Sequence, residues 1–591
     1  MVLALVALLA WGALLARAVV VFAPDGVHVQ SFNSDSALPV LMANDPVIDP
    51  FRFYIYGQDQ VGAWPFIALQ LISRATGRVW TDWDVHVFQT VWLFLSAFAL
   101  AALARAGRLI VPALFVATLC LHPTVARYLF VINQRNAWQV TALFFAWWSL
   151  RRACAHRFGI GPKEEGSGLT RRSTQTRAAL WSVSAFVFSL LAAWTSPLSG
   201  PPLLAIFALE LLRALALARG NFPVTNPDGV RPSATRQTIS NALKSAAPLL
   251  AALACEQLLK ANYRRHVLKH YGRDFSTPVE LDWGHMAANL RAQLELFLTY
   301  PQWPLTAVAA VAAPFLFYQL FRRVIRRPGD VAVPDYEGAA DGEGGAALAG
   351  VGLVHGEKGS LARPGLRLDL SALALGCLSV AFVNLASTVV FSWTRLNVYG
   401  PRYLALTHLF GTLAGLFTLL LLLILTARIY DARRRLPPAL SAATLLLTAL
   451  LFPPARIDPE YARLKEVARE LTGRAPRAVL LGGYWDTYVF PALHPRDAVI
   501  PVPAENQLQR TPWTPQIMRE SDRVLVVHHV FPARPEVETP GPYTDFGVGS
   551  APPAVIRQHG ATLHLHTPRF FELHGYVFSL YRNDSRAAVR E

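Results

Sequence analysis

Charge is scarce in this sequence. Asp, Glu, Lys and Arg make up 16% of the 591 residues and hydrophobic residues 53%, whereas about a quarter of a soluble domain is charged. With a mean hydropathy of +0.31, the balance argues against a soluble enzyme of this size. Cysteine is nearly absent. Cys120, Cys154, Cys255 and Cys377 are scattered without a CxxC or a metal-ligand spacing, which excludes a disulfide framework. Three of them fall inside apolar blocks, where cysteine behaves as a small hydrophobe. There is no recognition helix, zinc finger or aromatic RNA-binding strand. The net charge of +16 is therefore not a nucleic-acid signature, because the basic residues collect in short loops between apolar blocks.

What the sequence has instead is long apolar runs. They fall near 2–23, 85–104, 109–126, 137–150, 179–195, 201–218, 245–261, 303–321, 368–391, 403–427 and 437–453, each near the length a helix needs to cross about 30 Å of hydrocarbon. About eleven spans follow, and they must be helices, since unpaired backbone in lipid costs several kcal/mol per group. Apart from residues near their ends, the spans are almost free of charge. The segment 61–73 is shorter and holds Pro65, so it reads as an interfacial helix.

Charge sets the orientation. Arg151, Arg152, Arg157, Lys163, Arg171, Arg172 and Arg177 fill the loop 151–178. Arg322, Arg323, Arg326 and Arg327 open another basic loop, and Arg428, Arg433, Arg434 and Arg435 fill a third. All three belong in the cytoplasm. The stretch 24–84 carries seven aspartates against three arginines and belongs outside. Alternating eleven spans places the N-terminus inside and the tail from about 454 outside. The first block is expected to be a retained helix, because no small-residue cleavage site precedes a polar start.

The predicted architecture is mainly α: a polytopic transmembrane bundle over 1–453 and a small extracytoplasmic α/β domain over 454–591. The Gly-, Ala- and acid-rich segment within 322–367 reads as a flexible cytoplasmic loop. In the tail, 461–471 has an amphipathic helix pattern, and 478–481, 498–502, 523–527 and 576–581 read as short strands.

The outer loop 24–84 is where chemistry is expected. Asp25, Asp45 and Asp49 read as solvated loop residues. Asp35 stands between Ser34 and Ser36, just after Asn33 and ahead of an apolar stretch that would pack it against the bundle. A carboxylate held there can take a proton from an attacking hydroxyl or orient it. At the loop's end, Asp82-Trp83-Asp84 has the spacing of a divalent-cation site, for Mg or Mn, with Asp59 as a comparable carboxylate; acidic residues flanking a span outside are also ordinary. Arg402 and Tyr403, at the mouth of the span 403–427, suit bidentate capture of a lipid-linked phosphate or simple interfacial anchoring. Arg395, Arg135 and Arg265 are further candidate phosphate contacts, the last inside a basic cluster that runs against the positive-inside trend. The aromatics Tyr484, Trp485 and Tyr488 are either sugar platforms or caps on the small core. His528, His529, His564 and His566 lack a third ligand at recognisable spacing and read as structural or surface residues.

Ser34-Asp35-Ser36-Ala37, followed about twenty residues on by Tyr56-Gly57-Gln58-x-x-Gly62, resembles the first outer loop of GT-C membrane glycosyltransferases. The bacterial branch similar to the protein-mannosyltransferase and aminoarabinose-transferase families is the nearest in pattern. Gly400-Pro401-Arg402-Tyr403-Leu404 is similar to an Arg-Tyr pair frequent in the same superfamily. The resemblance implies an enzyme of the bacterial cytoplasmic membrane that takes a sugar from a polyprenyl-phosphate carrier and passes it to a lipid, glycan or protein acceptor outside. It places the base or acceptor-orienting role on Asp35 and substrate contacts on Asn33, Tyr56, Gln58 and Asp59. One departure stands out: relatives often carry an Asp-Glu pair, whereas Ser36 follows Asp35 here. A transporter or flippase, or a non-catalytic glycan-binding scaffold, would also use many spans, but the sequence shows no obvious internal repeat.

Overall fold

The structure is a computed structural model that describes residues 2–29, 31–45, 53–55, 61–104, 109–132, 136–160, 171–219, 232–267, 282–325, 363–390, 400–426, 430–505, 514–529 and 552–583. Each apolar block of the sequence is helical, the block 109–126 as two helices. In chain order the helices are α1 (Val2–Val21), then in the first loop α2 (Ser34–Asn44) and α3 (Trp64–Thr76), then α4 (Asp82–Ala104), α5 (Ile110–Leu121), α6 (Pro123–Leu129), α7 (Asn136–Arg157), α8 (Arg171–Thr195), α9 (Gly200–Arg219), α10 (Pro232–His266), α11 (Trp283–Leu298), α12 (Trp303–Ile325), α13 (Arg363–Val390), α14 (Ala405–Thr426) and α15 (Tyr430–Leu451). Among the described residues seven helices are long and apolar enough to cross a membrane, eight if a bent pair counts as one span. Two shorter apolar helices lie at Leu9–Val21 and Ala439–Leu451. The chain is a multi-pass membrane protein.

The block 109–126 is not one straight span. It breaks between α5 and α6 with an angle of 84°. Pro123 has no N–H to continue α5 but suits the first position of a new helix, and His122 Nδ1 caps α6 by accepting from the Val125 amide. The amphipathic helix α11 was not foreseen either. It buries Asn289, Gln293 and Phe297, one per turn, with Asn289 Nδ2 donating to the Val389 carbonyl at 2.8 Å.

After α15 the chain passes through residues 452–458 into α16 (Pro459–Arg474), whose buried face is Tyr461, Leu464, Val467, Ala468 and Leu471. It then builds a six-stranded sheet from β1 (Val479–Gly482), β2 (Ile500–Pro503), β3 (Arg523–His529), β4 (Val555–Gln558), β5 (Ala561–Leu573) and β6 (Tyr576–Asn583), with the short helices α17 (Tyr484–Thr487), α18 (Val489–Leu493) and α19 (Thr514–Glu520). The strand order is β2-β1-β3-β6-β5-β4, parallel through β2, β1 and β3 and antiparallel beyond.

The four strands read from the sequence are β1, β2, β3 and β6. β4 and β5 were missed, because Pro568, His564 and His566 break an apolar pattern. The register of β5 on β6 shifts between Leu565 and Phe571, so Pro568 lies where the ladder is irregular and its missing N–H is tolerated. Both hairpins close on His-Gly pairs, His559-Gly560 and His574-Gly575, with positive φ at both residues, as two-residue turns matching strand twist require.

One apolar cluster joins the first loop to the tail. Phe32, Ala37, Leu38, Tyr54, Phe66, Trp80 and Ile132 are buried in the same cluster as Leu464, Leu480, Tyr484, Phe490 and Phe578. Backbone bonds stitch the entry to each part: Val27 N–H donates to the Arg456 carbonyl at 3.1 Å and Asp458 N–H to the Asp25 carbonyl at 2.6 Å. The loop and the tail, assigned to one side by charge, lie together.

Candidate active site

The N-cap of α2 positions Asp35. Asn33 Oδ1 accepts from Ser36 N–H at 3.1 Å and from Ser36 Oγ at 3.3 Å, so Asn33 works as a helix cap, which suits an Asn side chain. Asp35 follows in the first turn, where the free amides and the helix dipole favour a negative charge. It is partly buried, and Tyr484 Oη donates to its Oδ1 at 2.6 Å. The rest of the loop braces α2. Gln70 Nε2 donates to the Met42 carbonyl at 2.6 Å. Asn44 exchanges two bonds with the Trp80 backbone, both at 2.7 Å.

Residues 53–55 and 61–63 pair as the two antiparallel arms of a hairpin. Tyr54 bridges Gly62, and Ile55 N–H donates to the Val61 carbonyl at 2.8 Å; Tyr56, Gln58 and Asp59 lie outside the described residues. The hairpin is clamped on the end of α8, with Trp194 Nε1 donating to the Phe53 carbonyl at 2.9 Å and Trp64 Nε1 to Thr195 Oγ1 at 2.7 Å. Gly62 is needed for this approach: a Cβ there would stand 2.2 Å from the Trp194 carbonyl oxygen. Gly62→Ala should therefore lower the melting temperature and the activity together. Gly473→Ala, where nothing lies within 4 Å, should do neither. Thermal unfolding of the two variants in detergent checks this.

Asp82 and Asp84 face different partners. Asp82 is buried and accepts from Tyr461 Oη of α16. Burial, aided by the Asp82 charge, pushes the Tyr461 hydroxyl well above the usual phenol range, which keeps it a donor. Asp84 accepts from Thr81 N–H at 3.0 Å and Thr81 Oγ1 at 2.8 Å and pairs with Arg78. Both carboxylates are thus engaged by protein donors, and among the described residues no three His, Cys, Asp or Glu side chains gather to hold a metal ion. Asp82 ties α4 to the tail, and Asp84 caps α4.

Arg402 lies in a one-turn 3-10 helix, Pro401–Leu404, that opens α14. Asn384 fixes this turn, donating to the Tyr403 carbonyl at 3.0 Å and to Thr407 Oγ1 at 2.9 Å. The Arg402 guanidinium lies 5.0 Å from the Tyr403 ring centre, with Nη2 donating to Tyr403 Oη at 3.0 Å. Arg127, on α6, lies 5.8 Å from the Tyr128 ring centre, and α6 packs against this turn. The elbow after α5 thus presents a second guanidinium that the sequence did not single out; only His122-Pro123 hinted at it. Beneath, the His408 ring packs on Phe297 at 4.8 Å, Tyr300 at 4.8 Å and His122 at 4.9 Å.

Three and four residues after Tyr128 the chain passes Val131 and Ile132, and Ile132 belongs to the apolar cluster that seats Ala37 and Leu38 beside Asp35. Arg265 is exposed at the end of α10, two residues beyond Tyr263, whose ring lies 4.8 Å from Tyr54 of the first loop. Arg135 and Arg395 lie outside the described residues. In the tail, Tyr484 and Tyr488 are buried and meet edge to face at 5.5 Å, so they are not exposed platforms. His528 is buried and shares a hydrogen bond with Ser579 Oγ at 3.0 Å.

No family model matches the sequence, and no curated protein matches it. Solved structures do. ArnT from Cupriavidus metallidurans bound to undecaprenyl phosphate is 12% identical, with 97% of each chain covered and a TM-score of 0.42. The oligosaccharyltransferase of Archaeoglobus fulgidus in the apo form is 11% identical, over 88% of this chain and 69% of that one, with a TM-score of 0.38. The likeness is low. At these identities and TM-scores it fixes no residue's role and no substrate, and the chemistry has to be argued from the residues themselves.

Proposed function

We propose that this protein is a membrane glycosyltransferase that moves a sugar from a polyprenyl-phosphate carrier to a lipid, glycan or protein acceptor on the side of the tail. The observation that carries the reading is Asp35: a carboxylate fixed at the start of α2, bonded from the tail and seated where the first loop meets the bundle. In this reading Asp35 takes the proton of the acceptor hydroxyl as its oxygen attacks the anomeric carbon. The bond from that carbon to the phosphate oxygen breaks, and the electron pair leaves with the polyprenyl phosphate. Direct displacement of this kind inverts the anomeric centre.

Arg402 and Arg127 answer the phosphate charge from the elbow and the α14 turn, donors set where charge develops. Residues 1–453 carry the donor site and 454–591 help select the acceptor. The basic loops support an N-terminus in the cytoplasm and a tail outside a bacterial cytoplasmic membrane. Asn33, Tyr56, Gln58 and Asp59 line the acceptor side in this reading, Asn33 through its hold on α2, and Tyr403, Arg135, Arg265 and Arg395 supplement the phosphate grip.

The test is Arg402→Ala. Loss of a charge-assisted contact costs about 1.5–3 kcal/mol, so the KM for a polyprenyl-phosphate sugar should rise about 10- to 150-fold while the melting temperature stays constant. An unchanged KM would remove Arg402 from the donor site. Failure of the wild-type protein to release polyprenyl phosphate from any donor would remove the reaction.

A further inference from the structure

The hydrogen bond to Asp35 comes from 449 positions away in the sequence, and its donor is unusually well fixed. Tyr484 follows β1, which lies between β2 and β3 in the parallel half of the sheet. Gly482 brings β1 so close to β3 that a Cβ there would stand 2.3 Å from Val527. The Tyr484 ring is 2% exposed and braced by Tyr488. Its 2.6 Å contact is at the short distance of a hydroxyl donating to a carboxylate. α2 also packs against α17 and α18, so donor and acceptor are held by two rigid bodies.

From this geometry, and resting on the glycosyl-transfer reading above, we infer that Tyr484 is a positioning residue for Asp35. By bonding Oδ1 it fixes the carboxylate in one orientation and leaves Oδ2 for the acceptor hydroxyl. The reaction centre is thus completed across the seam between the first loop and the C-terminal sheet. Asp35 alone, on a loop helix, would sample several rotamers, and misplacement of a reacting group by about 1 Å can cost about 10²-fold in rate. Tyr484 itself touches neither sugar nor phosphate in this scheme. The tail then does more than meet the acceptor: it sets the geometry of the group that activates it.

The experiment uses the full chain, a polyprenyl-phosphate sugar that the wild type turns over, and the variants Tyr484→Phe, Tyr461→Phe and Asp35→Asn. Tyr484→Phe should lower kcat about 10- to 100-fold, with the donor KM within about twofold of wild type and the melting temperature unchanged. Tyr461→Phe removes the other tyrosine-to-aspartate bond that docks the tail, without touching Asp35, and should keep most of kcat. The inference is overturned if Tyr484→Phe turns over at the wild-type rate. It is equally overturned if Tyr461→Phe loses as much kcat, or if Tyr484→Phe loses donor binding and melting temperature along with rate, since each assigns the bond to docking alone. Asp35→Asn separates the two levels: full turnover in that variant removes the glycosyl-transfer reading itself, whereas an inactive Asp35→Asn beside a fully active Tyr484→Phe removes only the role of Tyr484.

Discussion

Asp35→Asn should lower kcat by about 10²–10⁴-fold, the range attributed to a positioned general base, and leave the protein folded. Asn is nearly isosteric, its carbonyl oxygen still accepts from Tyr484, and the cap on α2 comes from Asn33 rather than from Asp35. What Asn cannot do is take a proton. Because the groups proposed to bind the phosphate lie on α6 and on the turn before α14, the donor KM should change little, and the loss should appear in kcat and kcat/KM equally. Steady-state kinetics with melting curves for both proteins check this. A variant that loses melting temperature along with rate would place Asp35 among the structural groups of the seam.

The largest stability effect is expected far from that seam. Arg151 on α7, Glu210 and Arg213 on α9, and Asp369 on α13 form a closed, fully buried network. Glu210 Oε1 accepts from Arg151 Nη2 at 2.5 Å, Arg151 Nε at 2.9 Å and Trp147 Nε1 at 2.7 Å; its Oε2 accepts from Arg213 Nε at 2.8 Å. Asp369 Oδ1 accepts from Arg213 Nη1 at 2.9 Å. Two positive and two negative side chains, each with a side-chain exposure of 3% or less, cancel one another. Glu210→Leu leaves two buried guanidinium groups with only the Asp369 carboxylate between them, and breaking a buried pair in this way costs about 3–5 kcal/mol. The expected result is little or no folded protein on extraction. Replacing all four residues with Met or Leu of similar volume should restore much of it, because a buried ionic set adds little net stability over well-packed hydrophobes. The folded, monodisperse fraction after solubilisation reads both outcomes.

The sequence missed that network for a specific reason. Arg151 stands at the start of a basic loop and counts there as a topology signal, and Glu210 and Arg213 lie near the end of their block. The spans therefore read as free of charge, although four charges meet where α7 and α9 end and α13 begins. A self-satisfied network of this kind is a clamp between helices, with no group left over to carry a substrate.

The helices were legible because length and apolarity are enforced by lipid. The break at His122-Pro123 was written in the sequence but hidden inside an apolar run. Asp35 was legible by its place after the first span. The partner of Asp35 was not, because Tyr484 lies in a Gly-Gly-Tyr-Trp-Asp string that looks equally like a core cap, and no local pattern announces a contact across 449 positions. The partners of the DxD string were hidden for a related reason: the spacing suggests a cation and says nothing of Tyr461, which meets Asp82, or of Arg78, which meets Asp84. Arg127 became visible only when the break after α5 packed α6 against the turn that carries Arg402.

The measurement that bears most directly on this account is sugar transfer in proteoliposomes, with purified protein, a panel of polyprenyl-phosphate sugars, and wild type and Asp35→Asn compared in parallel. The account predicts that the wild type consumes at least one donor, releases polyprenyl phosphate and yields a product of inverted anomeric configuration, while Asp35→Asn falls to about 1% or less of that rate. Folded wild-type protein that consumes no donor, or an Asp35→Asn variant as fast as wild type, would contradict it.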